Sequence, residues 1–339
     1  MKSKHFKAQS REDGLTLIEL LVALVISSAI ALAAISALVV SRQGFSTVDA
    51  ASQLRDNARF ASDMLQRFGV QAGFNDFADA TTVWPKDTAG MPIGNPLANV
   101  RGFNNSKASA TDPVNSATAR TTSTELGYGS DVLVLQYQVA VTNPSVFPPV
   151  SDNSMIDCFG ASPTATATAP GDRRANIIHV GIDDTGEPGL RCSTDDALKS
   201  PRSQAIVRGV ENFQVLYGVD GITPGVQATG AKANLVTNYL RADQLTVAVD
   251  PDGSKTNANW RRVRSLKIGM VLRGPIGSAQ QATSQTYYPL GGGRSAPLGA
   301  LGSAMSSSAD IGTAYTPPAD NRLRQVATFT IHLRNEQGL

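Results

Sequence analysis

The sequence predicts an α+β protein: one long N-terminal helix, its first half transmembrane, packed on an antiparallel β-sheet globular domain. Three observations predict it. Leu15 to Val40 is an almost unbroken apolar run whose one charge is Glu19. An amphipathic, helix-period pattern follows it directly. Beyond residue 130, apolar and β-branched runs recur between turn-forming residues.

The apolar run is long enough for a membrane. Its roughly 26 residues rise about 39 Å as a helix, against a hydrocarbon core of roughly 30 Å. Lys2, Lys4, Lys7 and Arg11 stand just before it, which keeps that end cytoplasmic and sends the remainder outward. The expected topology is a single membrane pass with the bulk of the chain outside. The chain as a whole, with 41% hydrophobic and 17% charged residues over 339 positions, can bury a core and is not of disordered composition. A net charge of +2 implies no basic surface, and no direct nucleic-acid binding is expected.

After the membrane run, Phe45, Val48, Leu54, Ala58, Ala61, Leu65 and Phe68 fall mostly at three- and four-residue steps, with Asp49, Arg55, Asp56, Arg59, Asp63 and Arg67 between them. One helix is expected from about residue 15 to about residue 68, with stops at Gly69 and Gly73. The chain then divides into residues 1–14, a leader; 15–40, the membrane helix; 41–72, its amphipathic continuation; and 73–339, a β-rich domain. Between Gly73 and Glu125 there is no sustained periodicity, so the stretch reads as a long surface loop region. Strands are expected over 131–139, 175–182, 206–217, 244–249, 261–272 and 326–333, joined as antiparallel hairpins.

The two cysteines, Cys158 and Cys192, both lie on the outward side, where disulfides persist, and pairing is expected. Closing that loop would stabilise by roughly 4 kcal/mol at most in the chain-entropy model. The alternative is two unpaired buried thiols. Their spacing excludes a CxxC redox or zinc site.

Glu19 needs a cationic partner, because a carboxylate inside an apolar helix is costly; otherwise it reaches back to the membrane interface. An ordinary secretory signal has a shorter apolar run, cut after small residues; Ala31, Ala33 and Ala34 are the positions such a cut would use. Arg11-Glu12-Asp13-Gly14-Leu15-Thr16-Leu17-Ile18-Glu19-Leu20-Leu21-Val22-Ala23-Leu24 instead resembles the type III signal of type IV prepilins and type II secretion pseudopilins. Leu15 stands where that family usually has Phe. The resemblance implies cleavage by a prepilin peptidase between Gly14 and Leu15, N-methylation of the new Leu15 amine, and a pilin-like fold. It also implies that Glu19 engages the N-terminus of a neighbouring subunit and sets the assembly register.

A second resemblance lies further on. Gly129-Ser130-Asp131, the 209–220 run from Gly209 to Asp220, Trp260 to Arg264, Leu323 to Val326, His332 to Asn335, and the loop flanked by Cys158 and Cys192 look like PilW-family minor pilins. This implies a protein that co-assembles with other minor pilins and the major pilin, on an inner-membrane assembly platform, to initiate or cap type IV pili in twitching, adhesion or DNA uptake. The same features are similar to the J-type minor pseudopilin of type II secretion, which is the alternative.

No GxxxxGK[ST], HExxH, GxSxG or GxGxxG pattern occurs. No enzymatic activity and no cofactor are expected. Gly291-Gly292-Gly293-Arg294 reads as a flexible loop, and His5, His179 and His332 as isolated residues rather than catalytic bases. Two acidic turns, one with Asp183, Asp184 and Glu187 and the other with Asp250 and Asp252, are weak candidates for Ca²⁺, but neither matches an EF-hand and both fit turn chemistry. A membrane-anchored calcium-binding adhesin is the reading from another class that these turns would support.

Overall fold

The chain's first element is helix α1, Leu17–Gln71. The β-strands that follow are β1 (Val100–Phe103), β2 (Ser106–Ala108), β3 (Ala117–Ala119), β4 (Val132–Tyr137), β5 (Arg174–Ile182), β6 (Pro188–Thr194), β7 (Ser203–Arg208), β8 (Val210–Val219) and β9 (Asn238–Leu240). Two short helices, α2 (Ala242–Leu245) and α3 (Ser254–Trp260), precede β10 (Val263–Arg273) and β11 (Arg324–His332). The computed structural model describes residues 16–76, 83–86, 88, 93–143, 146, 148–194, 203–230, 234–282, 284–291 and 310–335.

Two units divide the chain at residues 49 and 50. In the first, α1 exposes its apolar side chains from Leu17 to Val40. Among the described residues this is the one helix long and apolar enough to cross a membrane. Its serines carry no unsatisfied hydroxyl into that run. Ser27 Oγ donates to Ala23 O at 2.6 Å, Ser28 Oγ to Val25 O at 2.8 Å, and Ser36 Oγ to Leu32 O at 2.7 Å. Such back-bonding is what a polar side chain needs where water is absent.

In the second unit α1 buries Ala50, Leu54, Ala58, Ala61, Leu65, Phe68 and Gly69, steps that keep one face of a 3.6-residue helix inward. Each of the large side chains contributes about 1.5–3 kcal/mol by burial. Phe45 and Val48, which continue this stripe by spacing, are 74% and 70% exposed, so the buried face begins only at Ala50. Gly69 does not end the helix. A Cβ there would stand 2.5 Å from Ile331 Cγ2, so the glycine lets α1 close on β11. The chain leaves helical conformation at Gly73, whose N–H donates to Gln136 O at 2.8 Å.

The strands form a five-stranded sheet in the order β1-β4-β5-β6-β7, a four-stranded sheet in the order β11-β10-β8-β9, and the hairpin β2-β3. All their pairings are antiparallel. Leu54, Leu65 and Phe68 of α1 share one core with Leu133, Leu135, Ile178 and Leu190 of the first sheet and Phe213, Val215, Leu266, Ile268 and Ile331 of the second. The opposite face of β4, Val132 and Val134, packs with Ala175 and Ile177 under Phe103, Ala108, Val114 and Ala117. Strand β4 is therefore covered on both sides, which is why it reads as an unbroken apolar run.

Four expectations are corrected here. The 73–125 region is not all loop: β1 pairs with β4, placing Val100 opposite Leu135, and β2-β3 covers that sheet's outer face. Residues 206–217 are not one strand. Gly209, at φ 80°, separates β7 from β8 and sends them into different sheets, and a Cβ there would lie 2.5 Å from Arg273 O. Residues 244–249 form no strand; they end α2 and continue as turns. The 250–253 turn joins no hairpin but starts α3, with the Asp250 carboxylate accepting from Lys255 N at 3.1 Å and Thr256 N at 2.7 Å. The 183–187 turn does join a hairpin, β5 to β6, where Ile182 faces Pro188.

Cys158 and Cys192 are disulfide-bonded, with S–S 1.97 Å and Cα–Cα 6.2 Å across a separation of 34 residues. The bond ties the long loop after β4 to β6. Replacing Cys158→Ser should lower stability by about 2–4 kcal/mol. Urea unfolding of the variant beside the parent reads this directly, and an unchanged midpoint would contradict it.

Candidate functional site

The start of α1 is organised by Thr16 and Glu19. Thr16 N and Thr16 Oγ1 both donate to Glu19 Oε2 at 2.9 Å, and Glu19 N donates back to Thr16 Oγ1 at 3.4 Å. This reciprocal arrangement is a capping box, which satisfies helix-end N–H groups that otherwise lack partners. It also puts a carboxylate in the first turn, where the helix dipole favours negative charge. Thr16 did not figure among the expected site residues, although Thr-x-x-Glu ahead of an apolar run is a readable signal. Gly14 and Leu15, the expected cleavage and methylation positions, lie outside the described residues, as do His5 and residues 292–294.

In the β-rich domain the acidic turns are occupied by their own chain. Asp183 Oδ1 accepts from Thr185 N at 2.9 Å, Thr185 Oγ1 at 2.6 Å and Glu187 N at 2.9 Å. The Thr185 hydroxyl, followed by these backbone groups, holds its carboxyl below the usual range. Asp252 Oδ1 accepts from Ser254 N and Oγ at 3.1 and 2.8 Å. Among the described residues no group of three or more His, Cys, Asp or Glu side chains is placed to hold a metal ion.

Glu187 instead joins an ionic network. Arg322 Nη2 donates to its Oε1 at 2.6 Å, and Arg273 Nη2 to its Oε2 at 2.9 Å. Burial pushes the Glu187 carboxyl up, but the hydrogen bonds from Arg322 and Arg273 outweigh it and hold the group low. Deeper in, Glu211 of β8 takes Arg324 through Nε at 2.7 Å and Nη2 at 3.1 Å, and Arg273 Nη1 at 3.1 Å. The side chains of Arg324 and Glu211 are 2% and 1% exposed. Beside this network an open cleft of about 460 Å³ is lined by Gln53 and Asn57 of α1 with Glu187, Arg208, Arg273 and Arg322.

Asp131 ties the two sheets together. Its N–H donates to Phe213 O at 2.8 Å, while its carboxylate accepts from Val215 N at 2.9 Å and Asn105 N at 3.1 Å. Burial, then the nearby Asp310 carboxylate, push the Asp131 carboxyl well above its ordinary range against those hydrogen bonds. Burial likewise pushes Asp310 up to about 6, despite Arg241 at 3.9 Å. His179, buried in β5 with Nε2 3.3 Å from Ser193 Oγ, is held down at about 4, chiefly by burial.

These shifts act on stability in opposite senses. Asp310 binds its proton more tightly folded than unfolded, so its contribution is full below pH 4 and is lost as pH rises through 6. His179 resists protonation when folded, so its contribution is lost as pH falls from about 6.5 towards 4. Asp310→Asn should therefore stabilise the domain by about 1–3 kcal/mol at pH 8, with the gain vanishing by pH 4. Urea unfolding at pH 4, 6 and 8 measures it, and a gain independent of pH would refute the assignment.

Comparison with known proteins places these features. Residues 9–35 match the Prokaryotic N-terminal methylation motif, and residues 177–335 match the family described as Type IV Pilus-assembly protein W. Among solved structures, a type IV-like pilin from Thermus thermophilus superposes with a TM-score of 0.38 at 14% identity, over 84% of this chain and 97% of that one. That likeness is too distant to carry an argument. No curated protein matches the chain. With the methylation motif on an apolar helix and antiparallel sheets behind it, the chain is a type IV pilin-like protein. Within that class it is PilW-like, and the matched region runs from β5 through β11.

Proposed function

We propose that this protein is a minor pilin that co-assembles with other minor pilins to initiate or cap type IV pili, acting by assembly rather than catalysis. The observation that carries the reading is one chain holding both the N-terminal methylation motif and the PilW domain. The prepilin peptidase cuts between Gly14 and Leu15 and the new Leu15 amine is methylated. The protein waits in the inner membrane, with its β-rich domain in the periplasm, until the assembly platform moves α1 into the pilus. There Glu19 exchanges the Thr16 hydrogen bonds of the capping box for the cationic amine of a neighbouring subunit, a contact in which both partners are charged.

Intact mass and N-terminal sequencing, with and without the prepilin peptidase, test the first step. A peptidase-dependent terminus at methylated Leu15 is expected, and an uncut chain would end the proposal. Glu19→Ala should be processed normally but be lost from sheared pili, at least about tenfold on immunoblots; normal incorporation would remove Glu19 from the register role. Deleting the gene should abolish surface piliation and twitching. Intact pili with loss of secreted hydrolases would instead assign the chain to type II secretion as a J-type minor pseudopilin.

A further inference from the structure

The segment that leads into β1 lies against two guanidiniums that face no carboxylate among the described residues, that of Arg261 buried and that of Arg173 half-buried. Arg173 stands immediately before β5, and Arg261 immediately after α3. Arg173 Nη1 donates to Leu97 O at 2.9 Å, while Arg261 Nη2 donates to Asn95 Oδ1 at 2.9 Å and to Pro96 O at 2.5 Å. Two cations from distant parts of the chain thus grip three consecutive residues. The buried arginines Arg120, Arg241, Arg273 and Arg324 each face a carboxylate. Among the described residues Arg173 and Arg261 face none; burial, then the positive charge of Arg261, hold the Arg173 guanidinium down at about 10.

The unmet groups are almost all donors. Arg173 Nε and Nη2 and Arg261 Nε are buried without an acceptor, as is Trp84 Nε1, whose ring packs beside Gly94; at Asn99, two residues past Leu97, both Nδ2 and the acceptor Oδ1 are unmet. Folded proteins rarely leave such groups unpaired, and two like charges brought together away from water are costlier still. Water could accept from the N–H groups but would leave both charges uncompensated. Nε and Nη2 form one edge of a guanidinium, the edge that takes two oxygens side by side. Ile93 and Leu97 remain 52% and 36% exposed, so the site lies just beneath the surface.

We propose that Arg173 and Arg261 form a binding site for a small tetrahedral oxyanion, phosphate or sulfate, that supplies the missing acceptors and negative charge. Arg173 takes two of its oxygens through Nε and Nη2, and Arg261 Nε takes a third. This site is independent of the assembly role proposed above.

The test is thermal unfolding of the mature full-length protein in detergent at pH 7.5, titrated with inorganic phosphate against chloride at matched ionic strength. Phosphate should raise Tm saturably, by about 5 °C at about 100 times its Kd, and sulfate should do the same. Arg173→Gln, and separately Arg261→Lys, which keeps the charge but loses the planar fork, should abolish the phosphate-dependent rise. No rise above chloride in the wild type would overturn the site, even were either variant to misfold. So would a rise that persists in both variants, or an equal effect of acetate.

Discussion

Ser130 and Asp131 carry the hydrogen bonds on which the rest of the domain depends. Two antiparallel sheets facing one core have no backbone reason to stay in register with each other, since each satisfies its own ladder. Here the residues just before β4 cross the gap. Asp131 N–H donates to Phe213 O, Phe213 N–H donates to Ser130 Oγ at 3.2 Å, and the Asp131 carboxylate accepts from Val215 N. The first sheet is pinned to the middle of β8, and β8 in turn carries Glu211, the centre of the ionic network. Burying a carboxylate there is costly, and burial pushes the Asp131 carboxyl well above its ordinary range; the backbone N–H groups it satisfies offset that cost.

The ionic network follows from this geometry. With β8 fixed, Glu211 lies at the edge of the sheet where β10 ends and β11 begins, and Arg273 and Arg324, which face each other across those two strands, both reach it. A buried pair of this kind contributes little net stability over an apolar pair of the same volume, but breaking it leaves an uncompensated charge. Its effect is therefore to specify which strand ends meet. Arg322 and Glu187 extend the same specification to the β5-β6 turn, which explains why an acidic turn that could pass for a cation site is directed at arginines instead.

Helix α1 carries two different surfaces along one sequence. Up to Val40 its side chains are apolar on all faces, and its few polar groups bond within the helix. From Ala50 onward only one face is apolar, and small residues alternate with large ones so that the helix can approach the sheets closely. The capping box at Thr16 and Glu19 begins the helix inside the methylation motif, so the residue proposed to act in assembly is also one that starts the helix.

The sequence by itself determined what depends on local composition: the apolar helix from its charge-poor run, its buried face from spacing at Leu54, Ala58, Ala61, Leu65 and Phe68, the strands β4 and β5 from apolar runs, and β10 from alternation. It also marked Glu19, and the two cysteines whose pairing the fold confirms. Only the tertiary structure decided what depends on long-range partners. β1, β2 and β3 carry no periodic signal because they are three or four residues long and are stabilised by β4 and by each other. Gln244 to Val249 has strand-like residues but no strand to pair with, and α2 takes its first two. Gly209 looked like the middle of one strand because sequence does not show that Arg273 O would occupy the place of its Cβ. The two arginines at 173 and 261 look like ordinary surface charges until folding brings both onto residues 95–97. Charge pairing and backbone approach are properties of positions in space, and periodicity along the chain does not report them.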